Sequence, residues 1–138
     1  MASELRVNTL KDASGNNSIG MSYVAEGSAK AWANFDGSGG DGSTISARDS
    51  FNFSSVADNG TGDYTLSFSN GMNNANYVGN TGAAANASAA TFSNPYTGAS
   101  FTSSAPTTSA FRYANFAHNS ASYKDVDYTS ASILGDLA

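Results

Sequence analysis

The chain has no cysteine and only two prolines in 138 residues. Without thiols there is no disulfide framework and no thiolate metal site. Charge is scarce as well. Asp, Glu, Lys and Arg together make 12% of the residues, against about 25% in an ordinary soluble domain. The formal net charge is −5, and the basic residues stand singly, which argues against nucleic acid or an anionic membrane as partner. No apolar run approaches the ~18 residues of a membrane-spanning helix, so no membrane insertion is expected. The opening MASELRVNTLKDASG has neither the basic n-region nor the apolar h-region of a secretion signal. Disorder is not expected either, because 40% of the chain is hydrophobic and 12% aromatic.

Catalytic chemistry is thinly supplied. The chain has one histidine, His118, and no nucleophile elbow of the GxSxG type accompanies it. Glu4 and Glu26 are the only glutamates. The aspartates fall mostly in turn-forming contexts, where a carboxylate bonds nearby backbone N–H groups. Asp125 and Asp127 share one face of an extended run beside Lys124, which reads as a solvated sheet face. The stretch Asp36-Gly37-Ser38-Gly39-Gly40-Asp41-Gly42 offers hard oxygen ligands, but it lacks the alternating ligands and closing Glu of an EF-hand, so a flexible loop is preferred to a calcium site. The expectation is a protein without catalytic residues, metal or cofactor.

Ser, Thr, Asn and Gly replace the missing charge, and aromatic rings replace the missing Leu, Ile and Val. Turn clusters recur every eight to twelve residues or so, a rhythm of short strands. Between them apolar residues alternate with period two. Ala31, Ala33 and Phe35 oppose Lys30, Trp32 and Asn34. Phe51 and Phe53 flank Asn52. Tyr64, Leu66 and Phe68 oppose Thr65, Ser67 and Ser69. Phe111 and Tyr113 oppose Arg112 and Ala114, and Lys124, Val126 and Tyr128 oppose Tyr123, Asp125 and Asp127. Asp58-Asn59-Gly60-Thr61-Gly62-Asp63 predicts a tight turn joining strands at 50–57 and 63–69. The pattern as a whole predicts an all-β fold, a compact antiparallel β-sandwich of jelly-roll type.

The chain divides into an N-terminal β-arm, residues 1–28, and a sandwich head, residues 29–138. The arm holds alternating pieces at 5–10 and 18–24 around the turn Asp12–Asn17. Its apolar residues include Leu5, Val7, Leu10, Ile19 and Met21, which burial at ~25 cal/mol per Å² cannot turn into an independent core. The arm must pack either on its own domain or on copies of itself around a threefold axis. The repeated alternation favours the second, and with it a homotrimer whose arm serves attachment and trimerisation. The Ala/Ser-rich stretch around 83–92 predicts a small-residue strand or loop rather than a helix.

Sugar-binding proteins stack flat rings on pyranose faces, and Trp32, Tyr77, Tyr96, Tyr113 and Tyr123 are the available rings. A chain so poor in aliphatic residues needs its rings for the core, so core burial is the first expectation for each. Tyr77 and Tyr96, beside the Ala/Ser-rich stretch, are the ligand-binding candidates.

Several segments resemble a known family. The opening SELRVNTLKDASGNNSI is similar to N-terminal segments of bacteriophage fibre proteins of marine and cyanophage type. The block AKAWANFDGSG…ISARDSFNFSSVADNGTGDYTLSF resembles a domain at the ends of such fibres. TTSAFRYANFAHNSASYKDVDYTSASILGD is similar to its final strands. The resemblance covers nearly the whole chain, with the AKAW strand and the DNGTGDY hairpin its most specific parts. It implies a structural virion protein on the outside of the particle, homotrimeric, docked on other tail or capsid proteins, binding a host-surface glycan or protein, and without enzyme activity. Tail fibres usually run to several hundred residues. The short arm here therefore keeps a second expectation open, a capsid decoration or head-fibre protein held to the shell by residues 1–28.

Overall fold

A computed structural model describes residues 3, 5–39, 42–84, 105–117 and 122–138. Tyr96, His118, Asp41 and most of the Ala/Ser-rich stretch lie outside them.

The arm opens with a short hairpin of β1 (Thr9–Lys11) and β2 (Ser18–Gly20), paired antiparallel with Leu10 opposite Ile19. Asp12 closes the turn: its carboxylate accepts from the Asn16 N–H at 3.0 Å and the Asn17 side-chain amide at 2.7 Å. The second alternating piece does not continue as a strand. At Met21 the chain turns into a helix, α1 (Met21–Gly27). Alternation in 18–24 hid it, and no side chain caps its start at Gly20.

The head is a sandwich of two antiparallel four-stranded sheets. The first runs in the order β5 (Ala47–Phe51), β3 (Ala29–Phe35), β12 (Tyr128–Leu134), β8 (Val78–Ala84). The second runs β4 (Thr44–Ile45), β6 (Phe53–Gly60), β7 (Asp63–Phe68), β9 (Ala110–Ala114). The β6–β7 hairpin keeps consecutive strands in one sheet, whereas the steps from β3 to β4, β4 to β5, β5 to β6, β7 to β8 and β8 to β9 cross between sheets. A two-stranded ribbon of β10 (Phe116–Ala117) and β11 (Ser122–Tyr123) lies between β9 and β12 in the sequence.

The core is built by the alternation seen in the sequence. Ala31, Ala33 and Phe35 of β3 and Ala131 and Ile133 of β12 face Val56, Tyr64, Leu66, Phe68, Phe111 and Tyr113 of the other sheet. Small alanines on the first sheet make room for large rings on the second. The Phe35 ring meets Tyr64 edge-on at 5.1 Å across the layers, and Phe111 stacks on Tyr113 at 5.5 Å. Aromatic pairs of this geometry add about 0.5–1.5 kcal/mol beyond their area.

Three local readings change. Phe51 and Phe53 do not share a face: Phe51 is exposed on the first sheet and Phe53 is buried in the second. The strand predicted over 50–57 breaks at Asn52, whose φ of +57° turns the chain from one sheet into the other. Its side chain holds the corner, donating to the carbonyls of Lys30 and Asn70 and accepting from the Asn70 N–H at 2.7 Å. Asn52→Ala removes those bonds and leaves a Cβ residue at positive φ. It should destabilise by about 2–3 kcal/mol, read as a lowered urea midpoint at unchanged m-value.

The tight turn is also displaced from Asn59. The positive φ angles belong to Gly60 (+124°) and Gly62 (+68°), while Asn59 uses its amide to hold Asp63 and Thr65.

The extended run 123–128 is a loop from Lys124 to Asp127. Asp125 is exposed but stands in this loop rather than on a sheet face, and its carboxylate accepts from the Gly62 N–H at 2.5 Å and the Tyr64 hydroxyl at 3.1 Å. Neighbouring polar groups complete one connected closure at this end of the sandwich. The Gly37 N–H donates to the Val126 carbonyl, Asn115 N–H to the Gly62 carbonyl and Lys124 N–H to the Asn115 carbonyl. Thr129, fully buried, donates to the Val126 carbonyl and accepts from the Asn115 amide.

Candidate functional site

Two surfaces stand out once the core is subtracted. The first is the arm. Leu5 is 81% exposed and Tyr23 74%, and Val7, Leu10 and Ile19 are exposed as well. Met21 and Val24 are half-buried, and α1 contains no buried residue. A seven-residue helix with no side-chain cap, no acid in its first turn and no base in its last is far below the ~12–15 residues that hold alone in water. The β1–β2 hairpin is equally too small to be stable by itself. This arm leaves apolar side chains exposed on elements too short to be stable alone.

The second surface is the outer face of the first sheet. Because in-register partners share a face, the ladder places Phe51, Trp32, Ser132 and Asn80 in one row across four strands. The next row is Asp49, Asn34, Ser130 and Gly82. The alternation that buries Ala31, Ala33 and Phe35 sends Trp32 outward, where it is 38% exposed. Phe51 is 52% exposed beside it. The result is an aromatic ledge bordered by amides and hydroxyls.

At one end of this face lies Arg48, partly exposed and held by several groups. Its guanidinium donates to the Phe35 carbonyl at 2.9 Å, pairs with Asp36 at 3.4 Å and sits over the Tyr128 ring at 4.5 Å. Hydrogen bonds from the Ser38 hydroxyl and N–H hold the Asp36 carboxyl below the usual carboxylate range, with Arg48 adding to the effect.

The individual site expectations fall as follows. Tyr77 is half-buried in the head, edge-on to Phe68 and Phe111. Its hydroxyl lies 3.0 Å from the Ala110 carbonyl and 3.1 Å from that of Thr107, and burial pushes its pKa up to about 12. That is the setting of a clamp between the start of β8 and the entry to β9 rather than an open platform. Tyr113 is core. Tyr123 is exposed, edge-on to Phe116 in the ribbon. Trp32 departs from the core burial expected of it: the alternation in AKAWANF sets it opposite Phe35, and Phe35 is the one that takes the core. Phe51 was not legible as an outward ring, because nothing in the sequence marks Asn52 as the corner that reverses its face. Among the described residues no group of three or more His, Cys, Asp or Glu side chains is placed to hold a metal ion. None of their helices is long and apolar enough to cross a membrane.

Comparison of the chain with protein-family models, with curated proteins and with solved structures gives no match.

Proposed function

We propose that this chain is a structural appendage of a bacteriophage particle, a short fibre or tip on the external surface of the virion. In this reading the arm of residues 1–28 joins three copies and docks them on other virion proteins, and the sandwich presents its surface to a host receptor or glycan. No bond is made or broken; the work is adhesion. The exposed apolar arm carries the reading, since residues that cannot form a core alone are displayed rather than buried. The sparse charge fits it too, because binding through rings, amides and hydroxyls is weakly dependent on salt. Burial between copies would supplement a core poor in aliphatic side chains and link stability to assembly.

The first test is solution mass. Light scattering at micromolar concentration should give about three chains of 14.1 kDa, and removal of residues 1–28 should return the monomer. A full-length monomer overturns the trimer. Position is tested on intact particles by immunogold microscopy with antibody to the head. Gold is expected at the tail end. Gold spread over the shell would instead make this a capsid decoration or head-fibre protein gripping the shell through the same arm.

A further inference from the structure

We propose that the outer face of the first sheet is a binding ledge for a neutral hexopyranose polymer, with Trp32 and Phe51 as stacking rings. The proposal rests on the adhesion reading above and replaces its unspecified contact surface with a defined one.

The argument is chemical complementarity. A pyranose ring offers an apolar C–H face and an equatorial rim of hydroxyls. It is bound best where an exposed aromatic surface adjoins groups that both donate and accept hydrogen bonds. On the ledge, Trp32 and Phe51 are directly opposed on neighbouring strands, and Ser132 and Asn80 continue the same row. Asn34 and Ser130 stand in the next row, one residue pair further along the same face. Strands about 4.8 Å apart with same-face residues about 7 Å apart give a patch of roughly 14 by 7 Å, the footprint of two sugar rings.

The same composition disfavours a protein partner. Burying serines and asparagines under an apolar surface without new hydrogen bonds carries a penalty for each group. A sugar supplies those bonds, and water does so in its absence.

Charge selects the class of sugar. Two cations flank the face. Lys30, on the Trp32 side of β3, is buried and donates to the Ser28 carbonyl at 3.0 Å and hydroxyl at 2.6 Å; Arg48 is held by Asp36, by the Phe35 carbonyl and by the Tyr128 ring. Asp49 stands in the polar row, and the whole chain carries −5. A uronic or sialic acid polymer would meet the repulsion of Asp49 and of the net charge. A neutral glycan would not.

The chain itself provides the probe, since Trp32 is its single tryptophan. Full-length protein is titrated with hexasaccharides of a neutral glucan, galactan and mannan, and with oligogalacturonate as the acidic comparison. Saturable change in tryptophan emission with at least one neutral sugar, together with protection from acrylamide quenching, is expected; oligogalacturonate should give none. Calorimetry then compares variants. Phe51→Ala and Trp32→Ala should each weaken binding at least tenfold, and Ser132→Arg should do so without removing a ring. Melting curves of all three should overlay the parent.

No saturation with any neutral sugar overturns the ledge, and so does a preference for the acidic one. A fall in solution mass in Trp32→Ala also overturns it, by making the face a contact between copies. Cell adsorption separates the two levels. If the parent and Trp32→Ala adsorb equally to host cells, adhesion stands and the ledge does not. If sugar binding holds while the parent fails to adsorb, the ledge stands and the adhesion reading falls.

Discussion

Replacing Gly62 by valine should lower the melting temperature by more than 10 °C, corresponding to about 4 kcal/mol in a chain of this size. Two effects combine. Gly62 sits at φ +68°, a region that a β-branched residue adopts only with strain. An added Cβ would also stand 2.7 Å from the Lys124 nitrogen, 2.8 Å from the Lys124 carbonyl oxygen and 2.9 Å from that of Asn115. All three are backbone atoms and cannot swing aside. Retreat of the 124–127 loop would break the Asp125 bond to the Gly62 N–H and expose the Tyr64 hydroxyl. The two effects separate by comparison with Gly42, which has φ +86° and no atom within 4 Å of an added Cβ. Gly42→Ala should lose only the conformational part, about 1 kcal/mol. Calorimetric melting of Gly62→Ala beside Gly42→Ala checks the argument, and equal losses would show that contact with the loop is not the cause.

Alkaline solution should unfold the head between pH 10 and 12. An ordinary tyrosine ionises near 10. Burial raises Tyr77 to about 12 and pushes Tyr113 well up; burial also raises Tyr64, strongly, with Asp125 adding to it. The folded state therefore holds these protons longer than the unfolded chain. The neutral-tyrosine contribution is fully present below pH 10 and is lost as pH rises above it, because the unfolded chain then binds fewer protons. Each such tyrosine contributes a slope of about 1.4 kcal/mol per pH unit, so three together exhaust a stability of 5–15 kcal/mol within about two units. Urea midpoints should be flat from pH 7 to 9 and fall steeply above 10. Tyr113→Phe provides the control. Its hydroxyl makes only a long 3.5 Å contact with the Ser130 carbonyl, so the variant should fold at pH 7 and lose about a third of the alkaline slope. An undiminished slope would assign the effect to other groups.

Much of the head was legible because period-two alternation reports burial directly. Tyr64, Leu66 and Phe68 point inward as their spacing says, and so do Ala31, Ala33 and Phe35. What the sequence hid shares one physical origin: a local pattern does not show where the chain leaves a sheet. Alternation passes through Phe51-Asn52-Phe53 without interruption, yet one positive φ at Asn52 puts the two rings on different sheets and opposite sides of the core boundary. The same holds at 124–127, where strand-like spacing is overridden by bonds to Gly62 and Gly37 from distant parts of the chain. The α1 helix was invisible for another reason, since seven residues without caps carry no local helix signal. The alternation showed only that Trp32 and Phe35 point opposite ways, not which of them takes the core, and Phe51 needed the corner as well.

The sheet order has a consequence for how the molecule is made. The opening strand of the head, β3, is hydrogen-bonded to its closing strand, β12, with Ala33 opposite Ala131. That ladder spans about a hundred residues, so its loop-closure entropy must be met before its contacts repay it, and such topologies fold in milliseconds to seconds. On the ribosome the head therefore stays incomplete until β12 has left the exit tunnel, and β3 waits without its central partner through most of the synthesis of the domain.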